Sequence, residues 1–139
     1  MHGGPPTATG DTPGGLRLPE RAGRAWRTRD LRDAGAVVAL GSDWTIAPYD
    51  VRGVLATARA PLGAAASRGG LTGVQALEGC TTHAALAAVE SDTAGRIAPG
   101  FRADLTAFAL DPVKAPADEL AQAPVRLTVT GGQVAHRET

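Results

Sequence analysis

The chain has 139 residues, which is enough for one modest domain and too few for two domains of ordinary size. Its 14 Lys and Arg residues balance its 14 Asp and Glu residues, so it lacks the basic excess that a nucleic-acid-binding protein uses to neutralise phosphates. It shows no apolar run of the ~20 residues needed to cross a bilayer and no secretory signal, so we expect a cytoplasmic protein without a membrane partner.

The first segment, residues 1–17, is rich in glycine and proline and poor in large apolar side chains. Such a segment buries too little surface to offset the entropy lost on ordering. It predicts a disordered tail, or sequence that belongs to no fold because the gene start is wrong. Residues 19–33 then predict a helix, with Pro19 at its first position and Gly35 in a left-handed conformation after its end.

The middle of the chain has the rhythm of an α/β protein. Residues 36–40 are a continuous apolar run, which predicts a parallel strand buried on both faces. Two helices are predicted after it, over residues 51–60 with Asp50 as the cap and over residues 73–90 with a capping box. Residues 61–70 predict a loop of small side chains. The longer helix carries one apolar stripe at spacings of three and four, formed by Val74, Leu77, Cys80, Ala84 and Ala88.

The last third of the chain changes to the period of two that is typical of strands. Residues 104–110 predict a strand, and residues 116–122 predict a short helical turn. Two further strands, at residues 125–130 and 133–136, flank Gly131-Gly132, which is a two-residue hairpin signal. The sequence therefore predicts a small antiparallel β unit after the helices.

Asp43 is the main candidate for chemistry, because it follows the predicted parallel strand directly. The carboxyl ends of such strands carry the active sites of α/β folds, and a carboxylate there binds a metal ion or accepts a proton from metal-bound water. The alternative is that Asp43 stabilises a turn through its own backbone. Ser42 would either orient Asp43 or serve as a turn residue.

Two motifs, in this order and spacing, link the chain to a known family. The first is Gly41-Ser42-Asp43 at the end of the strand, and the second is the run Gly-x-Ile-x-Pro-Gly-x-x-Ala-Asp-Leu over residues 95–105. From about Leu18 to its end, the chain resembles the C-terminal part of the amidohydrolase superfamily. It is most similar to the branch called amidohydrolase 3, which includes N-substituted formamide deformylases.

The resemblance implies an α/β fold, a distorted (β/α)8 barrel with a small antiparallel β-sandwich. This chain would be a C-terminal fragment of it. Residues 18–92 would supply the last strand and helices of the barrel, and residues 93–139 a segment of the sandwich. About two thirds of the barrel would be missing.

The resemblance also implies a metal site, usually of zinc, built from a His-x-His pair, further histidines and one aspartate. Asp43 matches that aspartate, whose role is metal ligand and general base, and the substrate would be a small amide-type molecule. Trp44 would line the substrate pocket or pack at the barrel rim. None of the three histidines matches a family ligand: we expect a packed or surface position for His83, a surface position for His136 and a place in the disordered tail for His2. Cys80, the single cysteine, is expected to be a small buried hydrophobe.

Two hypotheses of function follow. In the first, the chain is a truncated metal-dependent amidohydrolase of non-peptide carbon–nitrogen bonds that lacks its histidine ligands and is inactive alone. In the second, it is a non-catalytic interaction module, or one half of a split barrel enzyme whose partner is a complementary barrel chain. The unpaired edges of the strand at residues 36–40 would favour such a partner.

Overall fold

The structure, a computed structural model, describes residues 27–60 and 69–139. The predictions for residues 1–17, for the start of the first helix and for most of the loop at 61–70 lie outside these ranges. Within them the elements are α1 (Thr28–Asp33), α2 (Val51–Arg59), α3 (Gly73–Cys80), α4 (Thr82–Ala87), β1 (Leu105–Phe108), α5 (Ala117–Gln122), β2 (Val125–Thr130) and β3 (Gln133–Arg137). No helix in the described ranges has the length and apolar character that crossing a membrane requires.

Local side-chain caps start two of the helices, as the sequence predicts. The Asp50 carboxylate accepts a hydrogen bond from the N–H of Arg52 at 3.0 Å before α2. Thr72 and Gln75 exchange the two hydrogen bonds of a capping box before α3. Gly35, after α1, has the expected left-handed conformation with φ +87°.

The core lies where α2 packs between α3 and α5. Its buried members are Leu55, Leu71, Ala76, Leu120 and Ala123. Leu55 and Leu120 are 1% and 0% exposed, and burying each of these side chains contributes about 1.5–3 kcal/mol. The helical core of the described residues is therefore built around α2.

Two arginines of α2 tie this helix to the chain around α5. Arg52 donates to the carbonyl of Ala123 at 2.6 Å, and Arg59 donates to the carbonyl of Ala115 at 2.6 Å. Ala123 is the C-cap of α5, where carbonyls lack intrahelical partners, and Ala115 lies just before the helix begins. The arginines satisfy these carbonyls, and they fix α5 against α2 at both of its ends.

The three strands form one antiparallel sheet in the order β1-β2-β3. Gly131 and Gly132 have φ +56° and +82°, the left-handed conformations that a two-residue hairpin turn requires. The Asp104 carboxylate accepts a hydrogen bond from the N–H of Gly131 at 2.7 Å and so joins the turn to the start of β1. The predicted antiparallel β unit is present.

Residues 36–40 differ from the predicted strand. They pair with no strand among the described residues, and Val37 is 59% exposed although burial on both faces was expected. A parallel strand needs hydrogen-bonding neighbours on its edges, and the described chain offers none. The only described sheet is the antiparallel one, and no (β/α)8 barrel is visible in this part of the chain.

The predicted helix over residues 73–90 is two helices, because Thr81 leaves the helical conformation with φ −123° and ψ −91°. The predicted apolar stripe is only partly buried, since Val74 is 52% exposed and Ala88 is exposed, whereas Leu77, Cys80 and Ala84 are half-buried. The buried face instead carries Gly73, Ala76 and Gly79. Small side chains let this face approach neighbouring backbone closely, so size decides which face is buried.

Candidate functional site

Asp43 directly follows the irregular segment of residues 36–42, and its backbone is left-handed, with φ +52°. Aspartate tolerates this conformation better than most residues do. Its carbonyl accepts a hydrogen bond from the N–H of Ile46 at 2.7 Å, which closes a tight turn. The side chain is exposed, and its carboxylate makes no hydrogen bond or ion pair with the described residues. The two roles predicted for Asp43 are therefore compatible, because its backbone closes the turn while its carboxylate stays accessible.

Trp44 is exposed beside Asp43. Its ring and that of Tyr49 meet edge to face, with centroids 5.4 Å apart and planes at 80°. The two side chains are 64% and 78% exposed, and Ile46 between them is 84% exposed. This turn therefore presents an accessible apolar surface next to a carboxylate.

A cleft of about 680 Å³ lies behind this turn. Its walls include residues 40–42, residues 46–48, α2 and the end of α5, and they are mostly apolar. Ser42 lines the cleft, whereas Asp43 and Trp44 are outside its lining. The volume lies within the range of small-molecule sites, about 300–1,000 Å³. The structure brings Ser42 to the cleft wall and leaves the predicted Asp43 and Trp44 at its edge.

Asp50 contributes a fixed charge to the cleft wall. Arg52 donates to its carboxylate at 2.6 Å, and this side-chain hydrogen bond holds the pKa of Asp50 below its usual value. Asp50 was predicted only as a helix cap, and Arg52 had no predicted role. The spacing of an Asp and an Arg two residues apart at the start of a helix could have predicted this ion pair.

The described histidines and the cysteine make no hydrogen bond to the Asp43 carboxylate. The ring Nδ1 of His83 is 3.1 Å from the carbonyl of Val38, and Nε2 of His136 is 3.1 Å from the carbonyl of Val125 in β2. Cys80 is half-buried, and burial raises the pKa of its thiol, so the thiolate form is disfavoured.

A catalytic zinc site normally takes three protein ligands. In residues 27–60 and 69–139, no three His, Cys, Asp or Glu side chains are close enough together to hold a metal ion. His2 lies outside these ranges. The described residues therefore do not fit a complete zinc site, and Asp43 is at most one member of such a site.

The sequence profile of the amidohydrolase family matches residues 13–136, which is most of the chain. The match agrees with the resemblance at the superfamily level and does not distinguish the formamide deformylase branch. No protein of curated function matches the chain.

A solved structure shares the fold. The crystal structure of an amidohydrolase from Thermotoga maritima is similar, with a TM-score of 0.61 and 24% sequence identity. The similarity covers 79% of this chain and 25% of that one, so the chain spans about a quarter of that protein's length. At this level of identity the likeness supports the fold alone.

Proposed function

We propose that this chain, which belongs to the amidohydrolase family, supplies Asp43 to a hydrolase of carbon–nitrogen bonds other than peptide bonds. The observation that carries the proposal is the family match over residues 13–136, which includes the Gly41-Ser42-Asp43 turn. Within the family we favour the amidohydrolase 3 branch, which includes N-substituted formamide deformylases, on the sequence run of residues 95–105, with a small amide-type molecule as the substrate.

The environment of Asp43 supports the role of general base. Its carboxylate is exposed and unpaired among the described residues, so it is free to accept a proton from an attacking water and return it to the leaving nitrogen. Trp44 and Tyr49 would contact the apolar part of a small amide substrate at the same turn.

Metal dependence is part of the proposal, with zinc as the expected ion. Because the described residues hold no ligand cluster, the histidine ligands must come from elsewhere, and we propose a complementary barrel chain as their source. On this proposal the isolated chain is inactive.

The test is a chimera in which this chain replaces the quarter of the Thermotoga maritima amidohydrolase that it matches. Hydrolysis of N-formyl amines, N-acyl amines and ureas would be measured against the unaltered Thermotoga protein. Because a general base contributes about 10²–10⁴-fold to the rate, Asp43→Asn is expected to lower kcat of the chimera at least ~100-fold.

Asp92→Asn is the matched control, since Asp92 is exposed and makes no hydrogen bond or ion pair in the described residues. It should leave kcat of the chimera unchanged. A folded chimera that hydrolyses none of these amides, or one in which Asp43→Asn behaves like Asp92→Asn, would contradict the proposed function.

The second candidate function, a non-catalytic interaction module, is favoured by the exposed apolar side chains around the turn. Val37, Trp44, Ile46 and Tyr49 are all more than half exposed. Large exposed apolar patches are typical of surfaces that bind other proteins. If the chain is an interaction module, Asp43→Asn should change neither kcat of the chimera nor the binding of the chain to its protein partner. Replacing Ile46 with a charged residue should weaken that binding.

A further inference from the structure

We propose that His83 is a positioning residue: together with Gly79 it clamps residues 38–40 against α3 and α4, and through them it sets the place of Asp43. The importance of this placement for catalysis rests on the proposed function of Asp43. The clamp itself rests on contacts within the described chain.

Two hydrogen bonds make the clamp. The N–H of Leu40 donates to the carbonyl of Gly79 at 2.9 Å, and the ring of His83 meets the carbonyl of Val38 at 3.1 Å. In a continuous helix the carbonyl of Gly79 would accept from the N–H four residues later. The break at Thr81 frees this carbonyl for Leu40.

Arg32 and Val38 together indicate which ring nitrogen of His83 carries the proton. A carbonyl only accepts hydrogen bonds, so Nδ1 of His83 must carry a proton to donate to Val38. A guanidinium only donates, so Nε2, which is 3.4 Å from Arg32, must carry the lone pair. Glu78 holds Arg32 in place through a 2.7 Å ion pair, with 18% of the arginine side chain exposed. The neutral ring with its proton on Nδ1 satisfies both neighbours.

Gly79 lets the clamped residues come this close. A β-carbon at position 79 would lie 2.7 Å from two side-chain carbons of Leu40 and 3.3 Å from the carbonyl oxygen of Val38. Gly79 thus packs closely against Leu40 and Val38 because it lacks a side chain, and His83 contacts Val38 through its ring.

The clamp and the packing of Leu40 against the core join this segment to the helices. Between Val37 and Ser42, the described residues form no other hydrogen bond to a separate element. Asp43 follows Leu40 by three residues, so a loosened clamp would let the carboxylate move. A displacement of about 1 Å is enough to cost up to ~100-fold in rate at a catalytic group.

The first experiment compares two variants of the full chain by residue-resolved amide hydrogen exchange. His83→Leu removes the ring donor, whereas His83→Asn keeps an N–H at the branch position of Nδ1. Loss of one neutral hydrogen bond should speed exchange of the Leu40 N–H roughly 3- to 10-fold in His83→Leu. His83→Asn should stay near the wild-type rate, and the N–H groups of Leu127 and Val129 in β2 should be unaffected in both variants.

Unchanged Leu40 exchange in His83→Leu would overturn the clamp. If exchange in β2 also accelerates, His83→Leu has lost its fold and cannot test the clamp. The test is then the position of the ring proton of His83 in the wild-type chain. Two-bond proton–nitrogen spectra must then place the ring proton of His83 on Nδ1. A proton on Nε2 alone would overturn the proposal.

The second experiment tests positioning in the chimera. His83→Leu is expected to lower kcat roughly 10- to 100-fold with little change in KM, and His83→Asn to recover most of the loss. Faster Leu40 exchange with an unchanged kcat would overturn the positioning role. Failure of the proposed function is distinguishable, because Asp43→Asn would then leave the chimera active while the exchange result at Leu40 stands.

Discussion

Val89 holds a backbone conformation that a β-branched residue seldom adopts, with φ +60° directly after α4. The N–H groups of Val89 and Glu90 close the helix end by donating to Leu86 and Ala85, an arrangement that normally uses glycine. Val89→Gly removes a cost of about 1–2 kcal/mol, against about 0.4–1 kcal/mol for the added freedom of the unfolded chain. We expect the free energy of unfolding in urea to rise by about 0.5–1 kcal/mol.

Val134→Gly is the control for this prediction. Val134 is 54% exposed in β3 and has no positive φ, so glycine there should lower the free energy of unfolding by about 0.5–1 kcal/mol. Val89 is 91% exposed, and its replacement loses almost no packing. Destabilisation by both substitutions would show that the conformation of Val89 costs less than the freedom that glycine adds to the unfolded chain.

At the scale of single residues, the sequence predicts the hydrogen bonds that form between residues close together in the chain. The caps at Asp50 and Thr72 depend on bonds within three residues, so their residue types were sufficient evidence. The partner of His83 was not predictable, because Val38 lies 45 residues away in the chain. The sequence left a packed and a surface position open for His83, which is half-buried, and its acceptor follows only from the fold.

Among the elements, α3 depends on a glycine at its first position. A β-carbon on Gly73 would lie 2.0 Å from the carbonyl oxygen of Val113, which belongs to the backbone and cannot turn away. Alanine is better than glycine in a helix by about 1 kcal/mol, but the clash outweighs this gain. Gly73→Ala is expected to lower the free energy of unfolding by about 1–3 kcal/mol, measured in urea.

Gly53 in α2 provides the matched control, because a β-carbon there would meet nothing within 4 Å. Gly53→Ala should raise the free energy of unfolding by about 0.5–1 kcal/mol. Equal effects of the two substitutions would refute the close packing of α3 against Val113.

The errors at the element scale have one physical origin. Hydrophobic periodicity placed Val74 on the buried face of the helix after Thr72, but the surrounding backbone leaves room only for Gly73, Ala76 and Gly79. Periodicity reports which side chains prefer burial and says nothing about how close the neighbour lies. The prediction of a strand at residues 36–40 was wrong for a related reason, since a strand forms only beside a hydrogen-bonding partner strand.

At the scale of the whole molecule, the parts that were predictable are those built from contacts between residues close together in the chain. The hairpin of β2 and β3 follows from Gly131-Gly132, and its sheet was predicted with β1. The amidohydrolase family was predictable from ordered motifs and is confirmed by the family match. The cleft was not, because its walls come from residues 40–42, α2 and α5, and Asp43 proved to lie at its edge.

Three carboxylates with lowered pKa values make the stability of the folded chain sensitive to acid. The side chain of Arg52 lowers the pKa of Asp50, and the N–H groups of Gly131 and Val113 lower the pKa values of Asp104 and Asp111. An unfolded aspartate titrates near pH ~3.9, so below that pH the unfolded chain binds more protons than the folded one. The stabilisation is complete above this range and is lost as pH falls through the lower, folded values.

Asp104→Asn isolates one of these contributions, because asparagine still offers an oxygen to the N–H of Gly131 but carries no charge. At pH 7 the variant should be less stable than the wild type in urea, and the difference should shrink as pH falls below ~4. Asp92→Asn, at an exposed carboxylate without a hydrogen bond in the described residues, should show no such convergence. A gap between wild type and Asp104→Asn that stays constant from pH 7 to pH 3 would mean that the charge of Asp104 does not hold the hairpin turn to β1.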